Sequence, residues 1–283
     1  MENSKLNKIS HRPFGSYNLW CVMVLTLLAC LQVGCSEKAR AVETADENEL
    51  LAPLFQFEFD QQDKKSASEL EVYVARGKRM VEEFFEMSFR DSVIVVVCPT
   101  REAFTSAFPP EWGMSETECW MVAAGVADQL IILSPRVWGE ESCEHDPLDI
   151  QHVQGIVAHE LVHVFHGQYN PTRDFTGAEE VGWFVEGLAV HVSGQLNQGH
   201  LAEPSEAIEL GKDPTCLSEA WSGKYRYGVC GSLVMYMDRA CGRDTIRKML
   251  AVTSQADLLA LSGVTESELL KHWKEFIIAS NDR

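Results

Sequence analysis

The sequence feature that most constrains the fold is an H-E-x-x-H motif at residues 159–163, inside a helical pattern of apolar residues from Asp149 to Gln168. Residues four apart on a helix share a face, so His159 and His163 can present two imidazole nitrogens to one metal ion. Glu160 can reach a water at such a metal without being a ligand, which is the geometry of a general base. Apolar residues around the motif predict that the helix is buried and holds this geometry rigid.

The motif alone leaves two interpretations open. Chance would place it in about one chain of this composition in thirty, and the simpler interpretation is a helix with two hydrogen-bonded histidines and a surface glutamate. A catalytic zinc site normally has three protein ligands and a water, so a third ligand should follow. Glu179, Glu180 and Glu186 all follow the motif, and Glu179 and Glu180 can also be explained as acidic residues in the first turn of a second helix.

The residues around Glu186, Trp183 to Ala189, read W-F-V-E-G-L-A. This segment resembles the W-x-x-E-G-x-A segment of gluzincin zinc metallopeptidases, which have a peptidase MA-like domain. The resemblance implies that Glu186 is the third ligand, that Zn²⁺ is the cofactor, and that the substrate is a peptide or protein. The metzincin pattern is excluded, because its glycine and third histidine would fall at His166 and Tyr169.

A later segment, Tyr225 to Leu233, is similar to the helix of the same family that begins near a tyrosine. In that family the tyrosine hydroxyl donates a hydrogen bond to the oxyanion of the tetrahedral intermediate. The register allows either Tyr225 or Tyr227, and an ordinary half-buried tyrosine is the alternative at each position. We predict Tyr227.

The remaining pattern predicts an α+β fold: a small, mostly antiparallel sheet packed on the active-site helix, followed by a helical C-terminal region, as in zincins. Strands are predicted at 92–98, 119–124 and 129–134, and helices at 68–87, 101–108, 149–168 and 178–195 and through the remainder. The segment from Asp128 to Ser134 lies where the family has an edge strand that pairs with substrate, although it could equally be internal. We predict one peptidase domain over residues 67–283, divided into 67–168 with the sheet and active-site helix and 169–283 with the helical part.

The first 35 residues resemble an export signal. Basic residues precede an apolar run from Leu19 to Leu31, which is shorter than the roughly 20 residues that span a bilayer. The end of the run resembles the lipobox of bacterial lipoproteins. The local pattern favours Cys30 as the lipidated residue. The number of cysteines favours Cys35, because six then remain and could all form disulfides in an oxidising compartment.

We therefore predict a signal peptide over residues 1–35 with Cys35 lipidated. A polar tether follows over residues 36–66, in which Leu50 to Phe59 could dock on the body. The protein is then expected to be exported to the cell envelope, the periplasm or the outer surface, and held there by a lipid anchor. The six remaining cysteines are Cys98, Cys119, Cys143, Cys216, Cys230 and Cys241.

The composition restricts the partners. The formal net charge is -18, so the chain has no excess of cations with which to neutralise phosphates, and nucleic-acid binding is not expected. Contact with a membrane is expected only through the lipid anchor. The leading hypothesis is zinc-dependent peptide hydrolysis. The alternative is a non-catalytic binding or scaffold lipoprotein that retains the zincin fold.

Overall fold

The structure, a computed structural model, describes residues 54–109 and 114–281. The predicted signal peptide, both candidate lipidation cysteines and most of the predicted tether lie outside the described residues. Among the described helices, none combines the length and the apolar character needed to cross a membrane.

The fold is α+β, as predicted, with one four-stranded sheet in the order β1-β2-β4-β3. The strands are β1 (Phe55–Phe59), β2 (Val93–Cys98), β3 (Ala123–Val126) and β4 (Gln129–Leu133). The prediction of mostly antiparallel pairing is wrong: β1–β2 and β2–β4 are parallel, and only β3–β4 is antiparallel. The connections between the parallel pairs contain helices that return the chain to the same end of the sheet, whereas a two-residue turn joins β3 to β4.

The strand pairing also corrects the position of the edge. β4 lies between β2 and β3, so the segment from Asp128 to Ser134 is internal, and β3 is the edge strand on that side. Residues 119–122, which were expected to belong to the first strand of this pair, instead form a loop that leads into β3.

Eleven α-helices surround the sheet and form the C-terminal part of the described chain. They are α1 (Lys64–Phe85), α2 (Arg101–Ser106), α3 (Trp138–Glu141), α4 (Ile150–Tyr169), α5 (Gly182–Val192), α6 (Glu203–Glu209), α7 (Leu217–Ala220), α8 (Arg226–Cys241), α9 (Arg243–Met249), α10 (Gln255–Ser262) and α11 (Glu266–Asn281). Helix α4 packs against both α1 and β3, and α5 packs against α4 and α8. The H-E-x-x-H helix is therefore buried at the centre of the core.

The beginning of the described chain belongs to the sheet. Residues 55–59, inside the predicted tether, form β1, and α1 begins at Lys64. Phe55 is buried and its ring lies 5.5 Å from that of Phe89, centroid to centroid. The residues of the predicted tether that the structure describes are thus mostly strand and helix. The proposed division of the chain into domains stays a prediction.

The cysteines are not fully paired, contrary to the prediction. Cys119 and Cys143 form a disulfide, and the other four cysteines that the structure describes are free thiols. Cys98 and Cys230 are buried and pack as small apolar residues. Burial, together with the nearby Asp63 carboxylate, raises the pKa of the Cys98 thiol to about 11. The even number of cysteines therefore no longer favours Cys35 over Cys30.

Helices α5 and α8 approach each other closely at Gly187. A Cβ atom built on Gly187 would lie 2.4 Å from the carbonyl oxygen of Cys230. That oxygen is backbone inside a helix and cannot move away without shifting α8. The position therefore requires glycine, and the close approach holds the neighbouring Glu186 against the core.

We predict that Gly187→Ala lowers the free energy of unfolding by about 1–3 kcal/mol, because the added methyl group overpacks the contact between the two helices. Urea denaturation would measure the change. Gly182→Ala is the matched control at the start of the same helix, where a Cβ atom meets nothing within 4 Å. This variant should be neutral or stabilised by up to about 1 kcal/mol. Equal stability of the two variants would contradict the packing argument.

Candidate metal and active site

Helix α4 holds the motif in a fixed position. The Asp149 side chain caps the helix by accepting a hydrogen bond from the backbone N–H of His152 at 3.1 Å. Along the motif itself, β3 lies directly against α4: a Cβ atom on Gly125 would lie 2.2 Å from the carbonyl oxygen of Glu160. Glycine at position 125 therefore lets the edge strand touch the helix beside the motif.

Three predicted ligands converge at one point. His159 Nε2 and His163 Nε2 lie 3.0 Å apart, and Glu186 Oε2 lies 3.5 Å from the first and 3.7 Å from the second. Tetrahedral zinc with ligands at about 2.1 Å would have its donor atoms about 3.4 Å apart. In the described part of the chain, this is the one group of three histidine, cysteine, aspartate or glutamate side chains close enough to hold a metal ion. Both the spacing and the donor types fit a divalent metal.

The electrostatics of the three groups favour a bound cation. Burial tends to lower the pKa of His163, but the Glu186 carboxylate outweighs it and raises that pKa. Burial tends to raise the pKa of Glu186, but the two imidazoles hold it well below its usual range. The carboxylate therefore remains ionised between the two rings, where it can neutralise positive charge.

Gln195 is part of the site although the sequence did not reveal it. Its Oε1 lies 2.8 Å from Nδ1 of His159. A carbonyl oxygen can only accept, so Nδ1 carries the proton and Nε2 keeps its lone pair towards His163 and Glu186. This contact fixes the tautomer and the ring orientation of His159, as hydrogen-bond partners of metal ligands commonly do.

A cleft of about 490 Å³ opens beside His159. Glu160 and Tyr227 also line it, and the catalytic roles expected of them stay predictions. Tyr225 does not line this cleft, because its hydroxyl donates to Glu206 Oε1 at 2.8 Å. Burial is the main cause that raises the pKa of Tyr227, so its hydroxyl stays protonated and can donate.

One wall of the cleft is held by cross-links. Trp120, Met121, Glu144 and His145 line it, and the disulfide between Cys119 and Cys143 ties their two segments together. The Arg101 guanidinium donates to backbone carbonyls of the first segment, including that of Met121. His145 Nε2 lies 2.7 Å from the carbonyl oxygen of Trp120. The wall is therefore rigid although it is a loop.

The comparisons with known proteins agree with this geometry. Residues 67–267 match the model of the family described as "Peptidase of plants and bacteria". The chain belongs to this peptidase family. The matched residues include His159, Glu160, His163, Glu186 and Tyr227 and all the residues that line the cleft. Searches of curated proteins and of solved structures give no match. A hydrolase that acts on peptides or proteins is thus the class to which the site belongs.

We predict that Gln195→Leu weakens Zn²⁺ binding about 10- to 100-fold, because the His159 ring loses the acceptor that orients it. Competition with a chelating dye would measure the affinity. Gln62→Leu, at an exposed position beside α1, is the control and should bind Zn²⁺ as the wild type does. Unchanged affinity in Gln195→Leu would mean that the hydrogen bond does not support the ligand.

Proposed function

We propose that this peptidase hydrolyses peptide bonds with a zinc ion held by His159, His163 and Glu186, as a gluzincin-type enzyme. The observation that carries the proposal is the convergence of these three donor atoms, 3.0–3.7 Å apart, beside a cleft that Glu160 also lines. When bound, zinc would supply Lewis-acid chemistry, lowering the pKa of water and polarising the carbonyl group.

Glu160 is the proposed general base. Its carboxylate takes a proton from the attacking water as the water oxygen bonds to the peptide carbonyl carbon. The π electrons of the carbonyl move to its oxygen, and the Tyr227 hydroxyl donates a hydrogen bond to that oxygen. When the C–N bond breaks, the carbonyl re-forms and Glu160 returns the proton to the leaving nitrogen. The immediate products are a carboxylic acid and an amine, and the acid then gives up its proton to leave a carboxylate and an ammonium group.

The edge strand offers a way to orient the substrate. Val122, just before β3, and Ala123, the first residue of β3, line the cleft, and β3 pairs with β4 along one side. An extended peptide could therefore hydrogen-bond along the other side of β3. The close contact between Gly125 and Glu160 places this edge near the general base.

The predicted activity is tested by two substitutions in the motif. Glu160→Gln should keep Zn²⁺ at one per chain but lose at least about 100-fold in hydrolysis, because the amide cannot accept the proton. His163→Ala should lose both the metal and the activity. Metal analysis of the purified chain, together with digestion of an internally quenched peptide library with and without chelator, measures both quantities.

Two controls accompany these variants. Glu83→Gln lies at an exposed position of α1, and His272→Ala lies on α11; both should retain metal and activity. Full activity in Glu160→Gln would rule out the proposed base. Bound zinc without any chelator-sensitive cleavage by the wild type would instead favour a non-catalytic binding or scaffold protein.

We also propose that the protein is exported and anchored in the cell envelope through a lipid on one of the two candidate cysteines, Cys30 or Cys35. The signal-like apolar run supports export, and the disulfide between Cys119 and Cys143 suits an oxidising compartment. Its substrates would then be peptides or proteins outside the cytoplasm.

The anchor predicts a simple labelling result. Of the two variants Cys30→Ser and Cys35→Ser, one should fail to incorporate a fatty-acid label into the protein, and the other should incorporate it normally. Gel fluorography of the purified chains measures this. The variant that loses the label identifies the lipidated cysteine, and a wild-type protein without label would contradict the proposed anchor.

A further inference from the structure

The cleft beside His159 contains a permanent positive charge. Among the described residues that line the cleft, Arg226 is the one arginine or lysine. Histidine rings line it as well, but burial lowers the pKa of His145, whereas a guanidinium stays charged at every pH at which proteins fold. No sequence motif marked Arg226 as part of the site.

Arg226 has no carboxylate partner in the described part of the chain. Other arginines form ion pairs with an aspartate or glutamate: Arg136, Arg173, Arg243 and Arg247. Arg90 and Arg239 form none among the described residues, but both are exposed to water, whereas Arg226 is half-buried. The chain has 42 Asp+Glu and 24 Lys+Arg, so carboxylates are not scarce. The guanidinium thus has N–H donors that are available to a ligand.

Two aromatic rings hold the Arg226 side chain in place. Its guanidinium carbon lies 4.9 Å from the ring centroid of Tyr227 and 5.5 Å from that of Trp221. The two rings contact each other edge-on, with centroids 5.0 Å apart. Cation–π contacts orient a guanidinium but do not neutralise its charge. The cation is therefore positioned at the cleft and remains able to pair with an anion.

The location of Arg226 in its helix adds to the positive potential. Arg226 is the first residue of α8, and the N-terminus of a helix carries a partial positive charge. A cation at this end is unfavourable for the helix, whereas an anion is favourable. Glu203 accepts a hydrogen bond from the backbone N–H of Gly228, but its ion pair is with His200. An anion beside Arg226 would therefore interact favourably with both the guanidinium and the helix end.

Arg226 also lies close to the proposed reaction. Burial raises the pKa of Tyr227, and the nearby guanidinium of Arg226 opposes that rise. The Tyr227 hydroxyl is the proposed donor to the scissile carbonyl oxygen, so a group bound by Arg226 lies near the scissile bond. An extended peptide advances about 3.3 Å per residue. Such a group would therefore belong to a residue within about two positions of that bond.

We propose that Arg226 is a specificity-determining residue that binds a carboxylate of the substrate close to the scissile bond. The carboxylate belongs either to an aspartate or glutamate side chain or to the C-terminus of the peptide. A guanidinium matches a carboxylate through two parallel N–H···O hydrogen bonds. This inference rests on the proposed hydrolysis of peptide bonds and adds the class of substrate, a peptide with an acidic group at the cleaved site.

The acidic character of the protein does not prevent this contact. The formal net charge is -18, but charges more than about 8 Å away are largely screened at physiological salt. Glu144 and Glu160 also line the cleft, yet neither forms an ion pair with Arg226 among the described residues. The side chain that a substrate carboxylate contacts directly is then the guanidinium, and this local attraction determines the preference.

The first test compares matched peptides. Glu and Gln are placed in turn at the two positions on each side of the scissile bond of the internally quenched peptide cleaved fastest, and its C-terminus is tested free and amidated. We expect kcat/KM to favour the acidic member of at least one pair about 10-fold or more, because hydrogen bonds between charged groups contribute about that factor. Arg226→Gln should bring this ratio to about one, and Arg226→Lys should keep part of it.

A matched control lies on the same helix. Arg239 also packs its guanidinium on an aromatic ring, that of Phe276, but it does not line the cleft. Arg239→Gln removes the same charge from α8 and should keep the wild-type ratio. Zinc content and the unfolding temperature are measured for every variant.

A second test measures binding without cleavage. Calorimetry gives the Kd of zinc-loaded Glu160→Gln for acetylated, amidated hexaalanine peptides that carry one Glu or one Gln at each position in turn. A further pair without Glu differs only in a free or an amidated C-terminus. Tighter binding of Glu peptides identifies a side-chain carboxylate, and tighter binding of the free C-terminus identifies the terminal one. Adding Arg226→Gln should remove the preference in either case.

The outcomes are distinct. Ratios within twofold of one in every acidic and neutral pair would overturn this inference and leave the proposed hydrolysis standing. So would a preference that persists in Arg226→Gln. If Arg226→Gln does not fold, Arg226→Met takes its place under the same criteria. If the wild type cleaves no peptide, the proposed function fails, and the binding series separately decides whether Arg226 binds a carboxylate.

Discussion

The constraint on which the site depends is the placement of three polar ligand atoms within 3.7 Å of one another in an apolar core. Without a cation, the Glu186 carboxylate raises the pKa of His163 and so favours a proton on that ring, and this proton competes with a metal ion for the same site. The arrangement persists because α4 and α5 are each buried against other elements, α4 by α1 and β3 and α5 by α8. A divalent cation bound there would stabilise the native state further, since the unfolded chain does not hold the three groups together.

The local part of the site could be predicted from the sequence, because helical geometry determines it. His159 and His163 share a face of α4 whatever surrounds the helix, and the apolar residues beside them predicted its burial. Glu186 could not be identified from the geometry of one helix. Its position 23 residues after His163 depends on how two helices pack, and it was found through the resemblance of its neighbours to a known segment. Both Tyr225 and Tyr227 fit the sequence pattern, and the structure shows that Tyr227 is the one that lines the cleft.

Other features could not be predicted, because they depend on contacts between distant segments. The β-branched runs indicated β2 and β4 as strands, but their partners and directions follow from the connections, and two of three pairings proved parallel. Counting cysteines suggested complete pairing, yet Cys98 and Cys230 lie in the core as apolar residues. Gln195 belongs to no motif, and its contact with His159 arises because the chain after α5 passes next to α4.

The site therefore has two parts with different physical origins. The proposed metal ligands and the proposed general base lie on helices that are buried in the core, whereas the cleft walls are supplied by connecting segments. One wall is held by a disulfide and by Arg101, and the other by the contact of Glu203 with Gly228. Because these restraints are separate from the packing of α4 and α5, wall residues other than Gln195, which orients His159, can change without disturbing the three proposed ligands. Substrate preference would then be determined by the loop from Cys119 to His145, the segment from Leu196 to His200 and Arg226, and not by the H-E-x-x-H helix.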